Sequence, residues 1–196
     1  MTYRNLSLLA LCGALLTTSV VAAPESYEID PAHTSIGFRI KHLFSSVTGR
    51  FNEINGSFTV DPQDPEKAEV KVTIPIASVD TGNEKRDGHL RTGDFFDAEK
   101  FKEMTFTSKS VKRTGENSAE ITGDLSLHGV TKEVVLKTDF LGKGPGPDGV
   151  NRTGWKATTA IKRSDFGITY GKEIEGTPLI GDEVEIILDI EAIQKP

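Results

Sequence analysis

Along most of the chain apolar and polar residues alternate with a period of two, the repeat of a strand with one dry face and one wet face. Between Ser26 and Leu43, Ile36, Phe38 and Ile40 fall on one side and Gly37, Arg39 and Lys41 on the other. The alternation returns over Val47–Val60, where Phe58 and Val60 continue an apolar face and Gly49 and Gly56 allow the strand to bend or bulge. Asp61–Pro65 has the composition of a turn. Val70, Val72 and Ile74 then alternate with Glu69, Lys71 and Thr73, and this segment ends near Pro75 or runs past it to Val79 as a kinked piece.

Further strands are predicted at Met104–Val111, Ile121–Leu127 and Val134–Leu141, separated by the turn-like Thr114–Ser118 and His128–Thr131. The Gly- and Pro-rich stretch 142–149 reads as an exposed loop, after which Trp155, Ala157, Thr159 and Ile161 carry the next strand. Ser164–Asp182 is irregular, and the last strand sets Val184, Ile186, Leu188 and Ile190 against Glu183, Glu185, Asp189 and Glu191.

One stretch, Asp80–Ser108, breaks this rhythm. Thr81 precedes Glu84 by three residues, the spacing of a capping box, and no β-branched run follows until Thr105, so a short helix is predicted there. The segment sets Arg86, Asp87, His89 and Arg91 beside Phe95, Phe96 and Phe101, a combination suited either to the mouth of an apolar pocket or to a plug at the end of a sheet. About eight strands with short connections favour antiparallel neighbours, and such a sheet removes its exposed edges by closing into a barrel. At that size the interior is either filled by side chains or holds one small ligand. A strand of ~10 residues at ~3.3 Å each spans roughly 33 Å, the reach of an internal tunnel.

Composition narrows the setting. The 196 residues suit one domain. Residues 1–22 read as a secretory signal peptide, with Arg4 at the charged start, the apolar run Leu6–Leu16, and Val20 and Ala22 as the small residues at the cleavage site, leaving 23–196 as the domain. Cys12, the one cysteine, leaves with the signal, so no disulfide is expected. Loss of Arg4 and of no acid takes the net charge from −6 to −7, which argues against a nucleic-acid partner. Beyond the signal no apolar run approaches the ~20 residues of a transmembrane span. His33, His42, His89 and His128 lie in no metal-binding spacing, and no GxSxG or comparable nucleophile motif is present, so neither a metal, nor a cofactor, nor nucleophilic catalysis is expected.

A set of short motifs adds what periodicity does not. Asp30-Pro31-Ala32-His33-Thr34-Ser35 leading to Phe38, Ser78-Val79-Asp80-Thr81, Arg86-Asp87-Gly88-His89-Leu90-Arg91 with Asp94-Phe95, Thr105-Phe106-Thr107-Ser108, and Ile121-Thr122-Gly123-Asp124-Leu125 through Gly129-Val130-Thr131 occur in the order of one family. In these residues the sequence resembles the YceI family of secreted, lipocalin-like polyisoprenoid-binding proteins. It departs at Phe101-Lys102-Glu103, where relatives often place a proline after the aromatic residue.

The resemblance implies an all-β, antiparallel eight-stranded lipocalin-like β-barrel with a short helical insertion, in the periplasm of a Gram-negative bacterium. It implies non-covalent binding, transport or sequestration of a long-chain isoprenoid or similar lipid, and no catalytic residues. On this reading the tail lies among inward-facing Ile36, Phe38, Ile40, Phe58, Val72, Ile74, Phe106, Leu125 and Trp155. Arg86, His89 and Arg91 meet a polar head at the mouth, since a net-negative protein needs local cations to hold an anion. Two other readings stand beside it. One is an enzyme acting on a lipid head group, with His89 and Asp87 as acid and base. The other is a stress-related interaction module that uses the 142–149 loop or the acidic last strand; a homodimer also stays open.

Overall fold

The structure is a computed structural model that describes residues 23–196 except 172, 175 and 176. The signal segment and Cys12 fall outside the described residues. Thirteen strands occur among those described: β1 (Glu25–Ile29), β2 (Ser35–His42), β3 (Ser45–Phe51), β4 (Asn55–Asp61), β5 (Asp64–Pro75), β6 (Val79–Asp80), β7 (Glu103–Arg113), β8 (Ser118–Leu127), β9 (Val130–Pro145), β10 (Asn151–Lys162), β11 (Glu173–Ile174), β12 (Thr177–Pro178) and β13 (Ile180–Gln194). Among the described residues one α-helix, α1 (Glu84–Leu90), lies between β6 and β7.

All ladders are antiparallel, and β1, β4, β5, β7, β8, β9, β10 and β13 follow one another around a closed eight-stranded barrel that β13 completes by returning to β1. The barrel sheet holds eleven strands because three of its eight staves are interrupted, while β11 and β12 pair with each other as a separate two-stranded sheet. β13 pairs with β2 over Ile180–Asp189 and with β1 over Ala192–Gln194, so β1 and β2 are two halves of one stave. β3 and β4 form the second, and β5 and β6 the third, split by a 3₁₀ turn at Ile76–Ser78.

The alternation expected over Ser26–Leu43 therefore holds on both sides of a break at Asp30–Thr34, which the period of two does not reveal. Pro31 can donate no ladder hydrogen bond, and Asp30 instead folds its carboxylate back onto the Ala32 N–H at 3.0 Å. The second stave breaks at 52–54, between Gly49 and Gly56 rather than at either glycine. The third follows its expected course past Pro75 to Val79.

Two boundaries differ from expectation. β9 runs to Pro145, because Gly142, Lys143, Gly144 and Pro145 pair with β10 across a bulge at Gly154/Trp155, so only the remainder of the 142–149 stretch is loop. Asp61 still pairs with Asp64, which leaves a two-residue turn where Asp61–Pro65 was expected.

α1 forms where the sequence loses its β-branched run, but its cap is Asn83 rather than Thr81. The Asn83 Oδ1 accepts from the Arg86 N–H at 3.0 Å. Thr81 is occupied elsewhere: its N–H and hydroxyl both donate to the Asp87 carboxylate, which is buried under the first turn. The core gathers Ile76, Val79, Phe95, Met104, Phe166 and Ile168 at the end of the barrel that α1 covers.

Candidate functional site

The inward faces of the staves do not meet. They enclose a cavity of about 580 Å³, lined almost wholly by apolar side chains. That volume lies in the ~300–1,000 Å³ range of small-molecule sites. Its walls extend from Arg86, His89 and Tyr170 at the α1 end to Pro65, Val111 and Arg113 at the other.

A barrel of eight strands can fill itself with side chains, so the hollow needs a physical cause. Glycine at inward positions supplies part of it. Gly49 stands opposite Phe38, and a Cβ there would come 2.3 Å from the Phe38 ring. At Gly123 a Cβ would lie 2.5 Å from the Phe106 ring and 2.6 Å from the Thr107 carbonyl. Gly56, opposite Val72, would meet the Lys71 carbonyl at 2.9 Å. In each place a neighbouring side chain lies flat against bare backbone of the wall instead of projecting across the barrel, the use of glycine that lets aromatic rings cover a sheet.

Of the residues expected at the site, Ile36, Phe38, Ile40, Phe58, Val72 and Ile74 line the cavity, as do Phe106, Leu125 and Trp155. Arg86 and His89 also line it, at one end. Arg91 does not, and this corrects its expected place beside the head group. Its Nε donates to the Ala77 carbonyl and its Nη2 to that of Val79, both at 2.9 Å, so its guanidinium ties α1 to the broken third stave.

Arg86 is held by Thr81, with Nε donating to Oγ1 at 2.7 Å and Nη2 to the carbonyl at 2.9 Å. Its Nη1 has no partner among the described residues. His89 is fixed by Asp94 at 2.8 Å and stands edge-on to the rings of Phe95 and Tyr170, with centroids 5.0 and 5.1 Å away. His89 and Asp87 do not form the acid–base pair of the enzymatic reading: His89 pairs with Asp94, while the Asp87 carboxylate is taken up by Thr81.

Phe95 and Phe96 line the cavity, whereas Phe101 packs away from it against His128 and over Gly129. Other wall residues had a signal in the sequence that was read only as strand: Val184, Ile186, Leu188 and Ile190 all face inward. Tyr170 and Arg163 had none. Tyr170 reaches the wall through an irregular segment, pinned because Arg163 donates to the carbonyls of Ile168, Tyr170 and Gly181 at 2.9, 2.6 and 2.8 Å.

Away from α1, the wall residues Phe58 and Trp155 are packed against two further rings, Tyr27 and Phe140. Tyr27 stacks on Phe58 at 4.9 Å, Phe58 meets Trp155 edge-on at 6.1 Å, and Trp155 tilts against Phe140 at 4.8 Å. Outside the cavity, Asp30, His33 and Glu191 place their ligand atoms within 4.8 Å of one another. Arg152 already stands between the two carboxylates, with Nη1 at 2.9 Å from Asp30 and 3.1 Å from Glu191, so a cation of the protein's own fills that position.

Comparison with known proteins agrees with this architecture. The model of the YceI-like domain matches residues 27–192. A UPF0312 protein of Pseudomonas aeruginosa (strain LESB58) is 44% identical over 195 residues, covering 98% of each chain. The crystal structure of the Campylobacter jejuni YCEI protein superposes with a TM-score of 0.70 at 38% identity, covering 85% of this chain and 96% of that one. A polyisoprenoid binding domain from Saccharophagus degradans, implicated in plant cell wall breakdown, shares the fold with a TM-score of 0.64 at 18% identity, over 86% of this chain and 98% of that domain.

Proposed function

This chain belongs to the YceI-like family, and we propose that it is a non-covalent carrier of a long-chain isoprenoid or similar amphiphilic lipid, exported by residues 1–22 and working in the periplasm. The observation that carries this reading is the 580 Å³ apolar cavity itself. A wall of Ile, Leu, Val and Phe offers a hydrocarbon chain an environment free of water and makes almost no directional demand on it. At ~0.8 kcal/mol per buried CH₂ a long tail gains more than ~10 kcal/mol gross, of which lost ligand freedom removes several. Binding of this kind needs no strong polar contact.

The polar head sits at the α1 end. There Arg86 keeps one guanidinium nitrogen unengaged, and His89 stands beside it on the cavity wall. The likeness to a polyisoprenoid binding domain supports the same class of cargo.

Lipid extraction and native mass spectrometry of the purified protein should reveal a bound isoprenoid or fatty chain. Phe106→Trp, which enlarges a ring already laid against Gly123, should lower lipid retention about tenfold, ~1.4 kcal/mol, in a protein that remains folded. A protein that carries nothing and takes up no added chain would overturn the proposal.

A further inference from the structure

The hairpin between β2 and β3 turns on two apolar residues, Leu43 and Phe44. Two-residue hairpin turns favour Gly, Asn or Asp, because a backbone that matches the strand twist needs positive φ. The turn between β8 and β9 is of that kind, with His128 at φ 52° and Gly129 at φ 76°. The β2–β3 turn is not. Leu43 is held at φ 46°, in the left-handed region that a Cβ disfavours, and Phe44 is 98% exposed. Phe44 covers no apolar surface, and Leu43 carries backbone strain that glycine would not. Departures from local preference of this sort collect at functional sites.

The tip also has a defined position. The Leu43 N–H donates to the Leu179 carbonyl at 3.1 Å, and both Leu179 and its neighbour in space His42 line the cavity. The turn therefore stands at the same end as Arg86 and His89, beside the mouth. Its charge is unusual for this chain. Residues 31–52 contain Arg39, Lys41, Arg50, His33 and His42 and no Asp or Glu, although the net charge of the protein is −6. Arg39 pairs with Glu185 and Arg50 with Asp80. Lys41 is exposed and has no ion-pair partner among the described residues.

We propose that the β2–β3 tip seats the mouth of the barrel on an anionic lipid surface, with Phe44 entering the acyl boundary and Lys41 meeting lipid phosphate. An exposed aromatic side chain supplies apolar area, and a basic neighbour adds attraction to anionic head groups. One ring and one free cation give a weak, reversible attachment, suited to a protein that exchanges cargo with the surface and leaves.

The test is co-sedimentation of the purified protein with vesicles of phosphatidylethanolamine and phosphatidylglycerol, 3:1, at low salt. The wild type should pellet with the vesicles. Phe44→Glu and Lys41→Glu should each reduce the bound fraction about tenfold. The double variant Leu43→Gly, Phe44→Ser should raise the thermal midpoint while losing vesicle binding, which separates a surface role from a folding defect. A wild type that stays in the supernatant, or a Phe44→Glu protein that binds as the wild type does, overturns the inference. So does loss of self-association in Phe44→Glu with no vesicle binding by either protein, which would assign the tip to a second copy. Bound lipid and uptake of an added chain, measured in parallel, keep the two proposals apart: vesicle binding by a protein whose cavity is empty and takes up no added chain defeats the carrier reading and leaves the surface standing.

Discussion

At the scale of single residues, the inward glycines decide whether this barrel is hollow. Phe106 and Phe38 have the bulk to span the interior, but Gly123 and Gly49 give their rings a place on the wall. Gly123→Val should both strain the fold and narrow the cavity, because its Cβ would lie 2.6 Å from the Thr107 carbonyl as well as 2.5 Å from the Phe106 ring. A loss of ~1–3 kcal/mol is expected from overpacking of this kind. Denaturant unfolding, together with uptake of an added long-chain lipid, checks both consequences; unchanged uptake would show that the ring finds another place on the wall. Arg91 makes the converse point. Its charge suggests a ligand, yet two backbone carbonyls of a broken stave consume it, because groups exposed by an interruption must be satisfied.

At the scale of elements, α1 is too short to be stable by itself, and its seven residues are held by what surrounds them. Asn83 caps it, Arg91 anchors its far end, and Asp87 beneath it accepts from Thr81. Asp87→Ala would leave the half-buried Thr81 N–H unpaired, at a cost of about 1 kcal/mol. Since Arg86 and His89 ride on this helix, hydrogen exchange at residues 84–91 should rise in the variant more than exchange in β8 or β9. Equal protection everywhere would show that Asp87 does not hold the helix. The helix itself was legible in the sequence from the lapse in β-branching, whereas the competition between Thr81 and Asn83 for the cap was not. Thr81 fits the capping pattern, but a carboxylate six residues on takes its hydroxyl.

For the molecule as a whole, closure depends on a seam where β1, β10 and β13 meet at the first broken stave. Asp30 accepts from Arg152 at 2.9 Å and pairs with His33 at 2.8 Å, and Arg152 also reaches Glu191 and Asp148 at 3.1 Å. The hydrogen bond from His33, helped by Ala32 and Arg152, holds the Asp30 carboxyl below its ordinary value of 3.8. The same bond, with the charges of Asp30 and Glu191, raises His33 above its ordinary 6.5. The raised histidine contributes stability that is complete below about pH 6.5 and is lost as pH rises through its folded value; the lowered aspartate contributes stability present above about pH 3.8 and lost as pH falls through its folded value. The thermal midpoint of the wild type should therefore decline above pH 6.5 more steeply than that of His33→Gln. Superimposable profiles from pH 5 to 9 would remove His33 from the seam.

The alternation of side chains, read along the chain, was sufficient to establish the strands, their number as staves, the sidedness of each and hence which residues face inward, because a period of two is a local property of the backbone. It was also sufficient, through short motifs, to suggest the family. Whether those inward faces meet or stand apart was decided only in three dimensions, since a void depends on which side chain lies opposite which glycine, and register across strands is set by partners far apart in the chain. The same reason explains why the breaks at Asp30–Thr34 and 52–54, the engagement of Arg91 and the place of Tyr170 on the wall emerged with the fold: each is an answer to unpaired backbone or empty space that exists only once distant segments have come together.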